Sequence, residues 1–135
     1  MIKAVDLGKE IVVTADNTVG LMAHVSRVLA DHGINIEGVA GYAAENKAKL
    51  MFVVNDTLRA REAIVKEGFA DTKESEIVIV DLEHRPGALK SMTTKLAQEK
   101  IDIRYMYGTA CPAGCPARII IATNENERAV VSLKK

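Results

Sequence analysis

The chain has no net charge: 18 Lys and Arg are balanced by 18 Asp and Glu. With no basic excess it carries no electrostatic footprint for nucleic acid. No apolar run approaches the roughly 20 residues a helix needs to cross a bilayer. The opening Met1-Ile2-Lys3-Ala4-Val5-Asp6 lacks the apolar core of a secretory signal. Two cysteines, both in one loop, are too few for a secreted disulfide framework. These absences predict a cytoplasmic protein with neither a membrane nor a nucleic-acid partner. Catalytic signatures are missing as well. No Ser-His-Asp arrangement, phosphate loop or paired-carboxylate motif stands out, so no catalytic residue, metal ligand or cofactor is assigned. His24 and His32, two turns apart on one helix, read as solvated surface residues.

What the chain does have is a repeat. Val12-Val13 followed by Asn17-Thr18-Val19-Gly20 returns as Ile79-Val80 followed by His84-Arg85-Pro86-Gly87. Ile34-Asn35-Ile36 returns as Ile101-Asp102-Ile103, and Leu50-Met51-Phe52-Val53-Val54 as Ala117-Arg118-Ile119-Ile120-Ile121. All pairs share one offset of 67 positions, and no gap is needed. A composition of 48% hydrophobic and 27% charged residues is ordinary for a globular protein. The repeat predicts two units, 1–68 and 69–135, each too small to bury a large core alone. They are expected to pack as a pseudo-symmetric pair and to dimerise.

Within the first copy, Ile11-Val12-Val13 reads as a strand that ends in turn and cap residue types at Asp16-Asn17-Thr18. Leu21, Met22, Val25, Val28 and Leu29 recur at helical spacing, which predicts a helix over 19–32. Gly33 suits the left-handed position after it. Gly38 and Gly41 allow a bulge in the next strand, and 44–47 reads as a hairpin turn before the strand 50–54. Asn55-Asp56-Thr57 can cap a second helix with Leu58, Ile64 and Val65 buried. The second copy repeats this order, with strands at 77–82, 101–105 and 118–122, a helix over 86–99, and Asn124 capping a last helix. The order β-α-β-β-α-β with helices on one face of an antiparallel sheet is the ferredoxin-like, α+β arrangement. Copy one can take 69–72 as its fourth strand. Copy two ends in its second helix, and the offset maps 69–72 onto 2–5. Residues 2–5 are therefore expected to supply the fourth strand of copy two.

A strand that ends in a turn, a glycine and an amphipathic helix makes a chemical site. The first N–H groups of the helix have no intrahelical partner and carry partial positive charge. They suit a carboxylate or another small anion. Gly20 and Gly87 remove the Cβ where a ligand would approach. Asn35 and Asp102, at matched positions, could accept hydrogen bonds from an α-ammonium. A Gly at such a turn is also commonly only a turn, and Pro86 is favoured there for conformational reasons alone.

Asp81-Leu82-Glu83-His84-Arg85-Pro86-Gly87-Ala88-Leu89, with Ile101-Asp102-Ile103 after the helix, resembles an ACT domain. Val12 to Met22, with Gly33-Ile34-Asn35-Ile36, resembles a second. The resemblance covers nearly the whole chain as a tandem pair. It implies a non-catalytic regulatory protein that binds a small ligand, most often an amino acid, at the strand-helix turns and between paired domains. Carried over by position, the ligand residues are Asn17, Thr18, Val19, Gly20, Leu21, Met22, Asn35 and Ile36 in copy one. In copy two they are His84, Arg85, Gly87, Ala88, Leu89 and Asp102. Thr18-Val19 stands where the family often has Arg-Pro, and Lys100 stands where copy one has Gly33. The two sites are therefore expected to be unequal. Without an attached catalytic domain, any regulated enzyme is expected to be a separate chain.

Cys111 and Cys115 lie in the hairpin of copy two, where copy one has no thiol. They are open to three readings: a plain turn, a redox-sensitive pair, or a two-ligand metal clip that would need further ligands. Two other functions stay open. A small acylphosphatase-like hydrolase shares the fold and uses an Arg in a similar turn, as Arg85 is placed. A metal carrier would want its cysteines in the strand-helix turn instead.

Overall fold

A computed structural model describes residues 1–111 and 113–135. The chain divides into two compact units, Lys9–Ser75 on one side and Met1–Gly8 with Glu76–Lys135 on the other. The elements follow in the order β1 (Ile2–Asp16), α1 (Leu21–Asp31), β2 (Ile36–Ala44), β3 (Lys47–Val54), α2 (Thr57–Lys66), β4 (Thr72–Leu82), α3 (Ala88–Gln98), β5 (Ile103–Thr109), β6 (Ala117–Thr123) and α4 (Asn126–Lys134). This is a βαββαβ-like α+β fold with antiparallel strand pairing, as the periodicity predicts. Among the described residues, no helix is long and apolar enough to cross a membrane.

In the Lys9–Ser75 unit the strand order is β2-β3-β1-β4. The pairs β1·β3 and β2·β3 are antiparallel, with Ile11 opposite Phe52 and Val39 opposite Phe52 on the far side. Alternate residues of these strands face the helices, as a period of two requires. Ile11, Val13, Leu50 and Phe52 therefore meet Val25 and Leu29 of α1 and Ile64 of α2 in one buried cluster. Each such side chain contributes about 1.5–3 kcal/mol by leaving water. The ladder slips between Ile36 and Gly38, so the expected bulge is present. Glu45 takes a left-handed φ of 59° at the first position of the two-residue turn between β2 and β3, the position where a tight hairpin needs positive φ.

In the other unit the order is β1-β4-β6-β5, with β4·β6 and β5·β6 antiparallel. Its core joins Val5 of β1 to Val78, Val80 and Leu82 of β4, Met92 and Leu96 of α3, Ile121 of β6 and Leu133 of α4. The N–H of Glu83 donates to the Met1 carbonyl at 2.8 Å.

Several expectations need correction. β1 is one strand of 15 residues where a short run at 11–13 is legible. Residues 69–71 precede β4, and Thr72 joins Ile77–Leu82 in one strand. α1 and α3 start at Leu21 and Ala88, because Gly20 (φ 87°) and Gly87 (φ 88°) are left-handed N-caps that a continuous helix could not contain. Leu58 is 60% exposed, and Ala60, Ala63 and Ile64 form the buried stripe of α2. Asp56 caps α2 as expected, its side chain accepting from the Arg59 N–H at 3.1 Å. Asn124 does not cap α4. Glu125 is the cap residue without a capping side chain, and the Asn124 Oδ1 accepts from the Asp102 N–H at 3.0 Å.

The single offset of 67 also needs correction beyond the hairpins. Gly41 pairs with Leu50, and Gly108 with Ile119. Asn55 bonds Asn35 as Asn124 bonds Asp102. Glycines and turns stay 67 apart, whereas the third strands and second helices are 69 apart, because the second hairpin is two residues longer. The expected loop 109–116 contains Pro112, which lies outside the described residues. The other hairpin residues place Cys111 and Cys115 in a disulfide with Cα atoms 5.3 Å apart. The pair is therefore neither a plain turn nor a metal clip in this structure. Among the described residues, no group of three or more His, Cys, Asp or Glu could hold a metal ion.

Candidate functional site

β1 ends at Asp16, and its last rung sets Asp16 opposite Lys47 of β3. One residue on, the Asn17 N–H donates to the Asn46 carbonyl at 2.8 Å, tying the start of the turn to the β2–β3 hairpin. The chain then turns through Thr18 and Val19 to Gly20, whose φ of 87° would strain any residue with a Cβ. Nothing lies within 4 Å of the place a Cβ on Gly20 would occupy, so the glycine serves backbone conformation rather than packing. The Leu21 N–H donates to Thr18 O at 3.2 Å, and the His24 N–H to Gly20 O at 2.9 Å. No side chain caps α1, so the helix start keeps its positive end without a carboxylate or hydroxyl of its own.

This helix start borders a depression of about 460 Å³. Thr18, Val19, Gly20 and Leu21 line it from the turn, Asp16 and Lys47 from the strands, His24 from α1, and Gly68, Phe69 and Ala70 from the loop after α2. Lys47 Nζ sits 2.7 Å from the Asp16 carboxylate. That hydrogen bond and its charge hold the Asp16 carboxyl below its ordinary range and the Lys47 ammonium above its own. His24 Nε2 lies 3.0 Å from Glu67, and the hydrogen bond from His24 lowers the Glu67 carboxyl. The His24 ring meets Phe69 edge-on, centroids 5.1 Å apart.

The structure gathers only part of the expected set. Met22 turns away, its Cε lying 3.1 Å from where a Cβ on Gly41 of β2 would stand. Asn17 binds the hairpin through its backbone. Asn35 and Ile36 follow the opposite end of α1, a helix of 11 residues that is about 16 Å long. Asn35 is exposed, and its backbone is clasped by Asn55: Asn35 N–H to Asn55 Oδ1 at 3.0 Å, and Asn55 N–H to Asn35 O at 3.3 Å. It does not line the depression at Gly20.

The second turn is built alike but charged differently. Gly87 has φ 88°, and no side chain caps α3. The Ser91 N–H donates to Gly87 O at 2.9 Å, as His24 does to Gly20. His84 and Arg85 are exposed, with Arg85 Nε 2.8 Å from Glu83 Oε2. Ala88 is buried and Leu89 exposed. Asp102 lies past the far end of α3, its N–H held by Asn124.

Asp16, His24, Lys47 and Phe69 line the depression and were missed by sequence reasoning, as were Thr14, Ala15, Gly68 and Ala70. Asp16 and Lys47 read as ordinary turn-flanking charges until strand register brings them face to face. His24 reads as a surface histidine until the loop after α2 closes beside it.

The ACT domain family model matches residues 9–66. No match is found among curated proteins. Among solved structures, protein BT0572 from Bacteroides thetaiotaomicron is similar over 96% of this chain and 88% of its own, with 24% identity and a TM-score of 0.88. The regulatory subunit of aspartate kinase from Thermus thermophilus, in its ligand-free form, shares 18% identity over 98% of this chain and 96% of its own, TM-score 0.70. The corresponding subunit from Thermus flavus shares 17% identity over 97% and 94%, TM-score 0.63. These likenesses are of fold. Residues 9–66, which hold the glycine turn before α1, are thus similar to the ACT domain family.

Proposed function

We propose that the chain is a non-catalytic regulatory protein that binds a small ligand, an amino acid, at its strand-helix turns. In this reading 1–68 and 69–135 are two ACT-like repeats forming a tandem, pseudo-symmetric pair, with residues 2–5 pairing with the second repeat. The observation that carries the ligand site is the uncapped start of α1 on a left-handed glycine, open to a depression that holds one anionic and one cationic side chain. Helix N–H groups favour a carboxylate there. Two of the similar folds are regulatory subunits of aspartate kinase, which supports a regulatory role. The protein acts in the cytoplasm as a homo-oligomer on a separate regulated enzyme.

The hydrolase alternative rests on Arg85 alone, since Thr18 stands at its matched position in copy one and the turn lacks a glycine-rich phosphate cradle. A thermal-shift screen of the full chain against the common amino acids tests the proposal. Stabilisation by at least one of them is expected; no shift with any, together with hydrolysis of an acyl phosphate, sinks it.

A further inference from the structure

Resting on the amino-acid reading above, we propose that Asp16 and Lys47 are the specificity-determining pair of the first turn, selecting ligands that carry both an ammonium and a carboxylate. The corresponding acid without the amine, and the amine without the acid, are rejected.

The argument starts from register. Asp16 and Lys47 form the last rung of the β1·β3 ladder, and the next backbone bond, Asn17 N–H to Asn46 O at 2.8 Å, locks that rung against the turn. The two charges are thus fixed beside the start of α1 and line the same depression as Thr18, Gly20 and Leu21. Both side chains are largely in water, 79% exposed for Asp16 and 65% for Lys47. A solvated pair of this kind exchanges partners at little cost. An α-amino acid brings the mirror pair: its ammonium replaces Lys47 on the Asp16 carboxylate, an acceptor only. Its carboxylate takes the Lys47 ammonium and the free N–H groups of α1. Every charge then keeps a partner. An acid without the amine draws Lys47 off and leaves Asp16 facing a second anion. An amine without the acid leaves Lys47 beside the positive helix end with no counter-charge. The Lys47 contact lowers Asp16 and raises Lys47, so both remain ionised through the neutral range.

The second turn lacks this arrangement. Glu83, 67 positions after Asp16, is engaged by Arg85 from within its own turn, and Pro116 stands 69 positions after Lys47. Selection for a zwitterion therefore belongs to the first turn.

The test uses the full chain in calorimetric titrations. Probes are the common amino acids and, for each that binds, the matching carboxylic acid lacking the amine and the matching amine lacking the acid. Wild type should bind the amino acid at least about tenfold more tightly than either analogue, the worth of one charge-assisted hydrogen bond. Asp16→Asn should weaken the amino acid and close its gap to the acid. Lys47→Met should close the gap to the amine, and Lys47→Arg should retain it. Unchanged circular dichroism should accompany all three, because neither side chain packs in the core. If the amino acid binds and both gaps survive in Asp16→Asn and Lys47→Met, the pair is not the selector, although the amino-acid reading stands. If no amino acid binds wild type, both fall.

Discussion

Lys100 holds a left-handed φ of 58° where Gly33, 67 positions earlier, holds 67°. That conformation costs a residue with a Cβ about 1–2 kcal/mol. Lys100→Gly should raise the unfolding free energy, read from the denaturation midpoint, by up to about 1 kcal/mol, the gain being reduced by the greater freedom of glycine in the unfolded chain. Gly33→Ala should lower it by a similar amount, with the denaturant slope unchanged in both. The left-handed position at Gly33 is legible in the sequence because glycine after a helical pattern has a conformational reason. The same geometry at Lys100 is legible only through the repeat. Asp81 adds a pH-dependent contact of the same scale. Arg118 binds it at 2.8 and 3.1 Å, and that hydrogen bonding holds its carboxyl below the ordinary 3.8. A depressed carboxylate contributes its stability above its unfolded value and loses it as pH falls through the lower folded value. Asp81→Asn should therefore lose stability at neutral pH and show a shallower decline than wild type below pH 3.8 in acid titrations followed by circular dichroism.

The second hairpin carries a cross-link that the first does without. Cys111 and Cys115 close a ring with a sequence separation of 4, and loop-closure entropy gives so short a ring at most about 2 kcal/mol. Urea unfolding with and without reductant should move the wild-type midpoint down to that of Cys115→Ser; equal midpoints for oxidised and reduced wild type would show that the bond contributes nothing. Strand lengths were harder to read than helices. α1 announces itself by a helical stripe ending in Val25, Val28 and Leu29, all buried. β1 hides because Lys3, Asp6, Gly8 and Lys9 break its apolar pattern, and only Val5 is buried before Glu10. The same first residues bear on stability. Val5 lies in the core with Val80 and Leu96, and Met1 O accepts the Glu83 N–H. Deleting residues 1–5 should cost about 2–4 kcal/mol, the scale of a large core truncation. Hydrogen exchange should report that loss in β4 and α3; unchanged protection there would remove the idea that 2–5 complete the second repeat.

At the scale of the whole chain, ligand binding and folding are one equilibrium. An amino acid present at 100 times its dissociation constant should add about 2.7 kcal/mol and raise the melting midpoint by roughly 10 °C. The overall α+β order was legible because helical and strand periodicities differ, and the glycine turns because they recur. The depression at the first turn was not, since its walls come from β1, β3, α1 and the loop after α2, and sequence spacing does not join those segments. The division of the chain has a consequence for its synthesis. Lys9–Ser75 is one uninterrupted stretch, whereas the other unit needs Met1–Gly8 together with Glu76–Lys135. On a ribosome the first unit can close as soon as Ser75 emerges. Met1–Gly8, made before that stretch, stays without its partner strand until β4 (Thr72–Leu82) has been made.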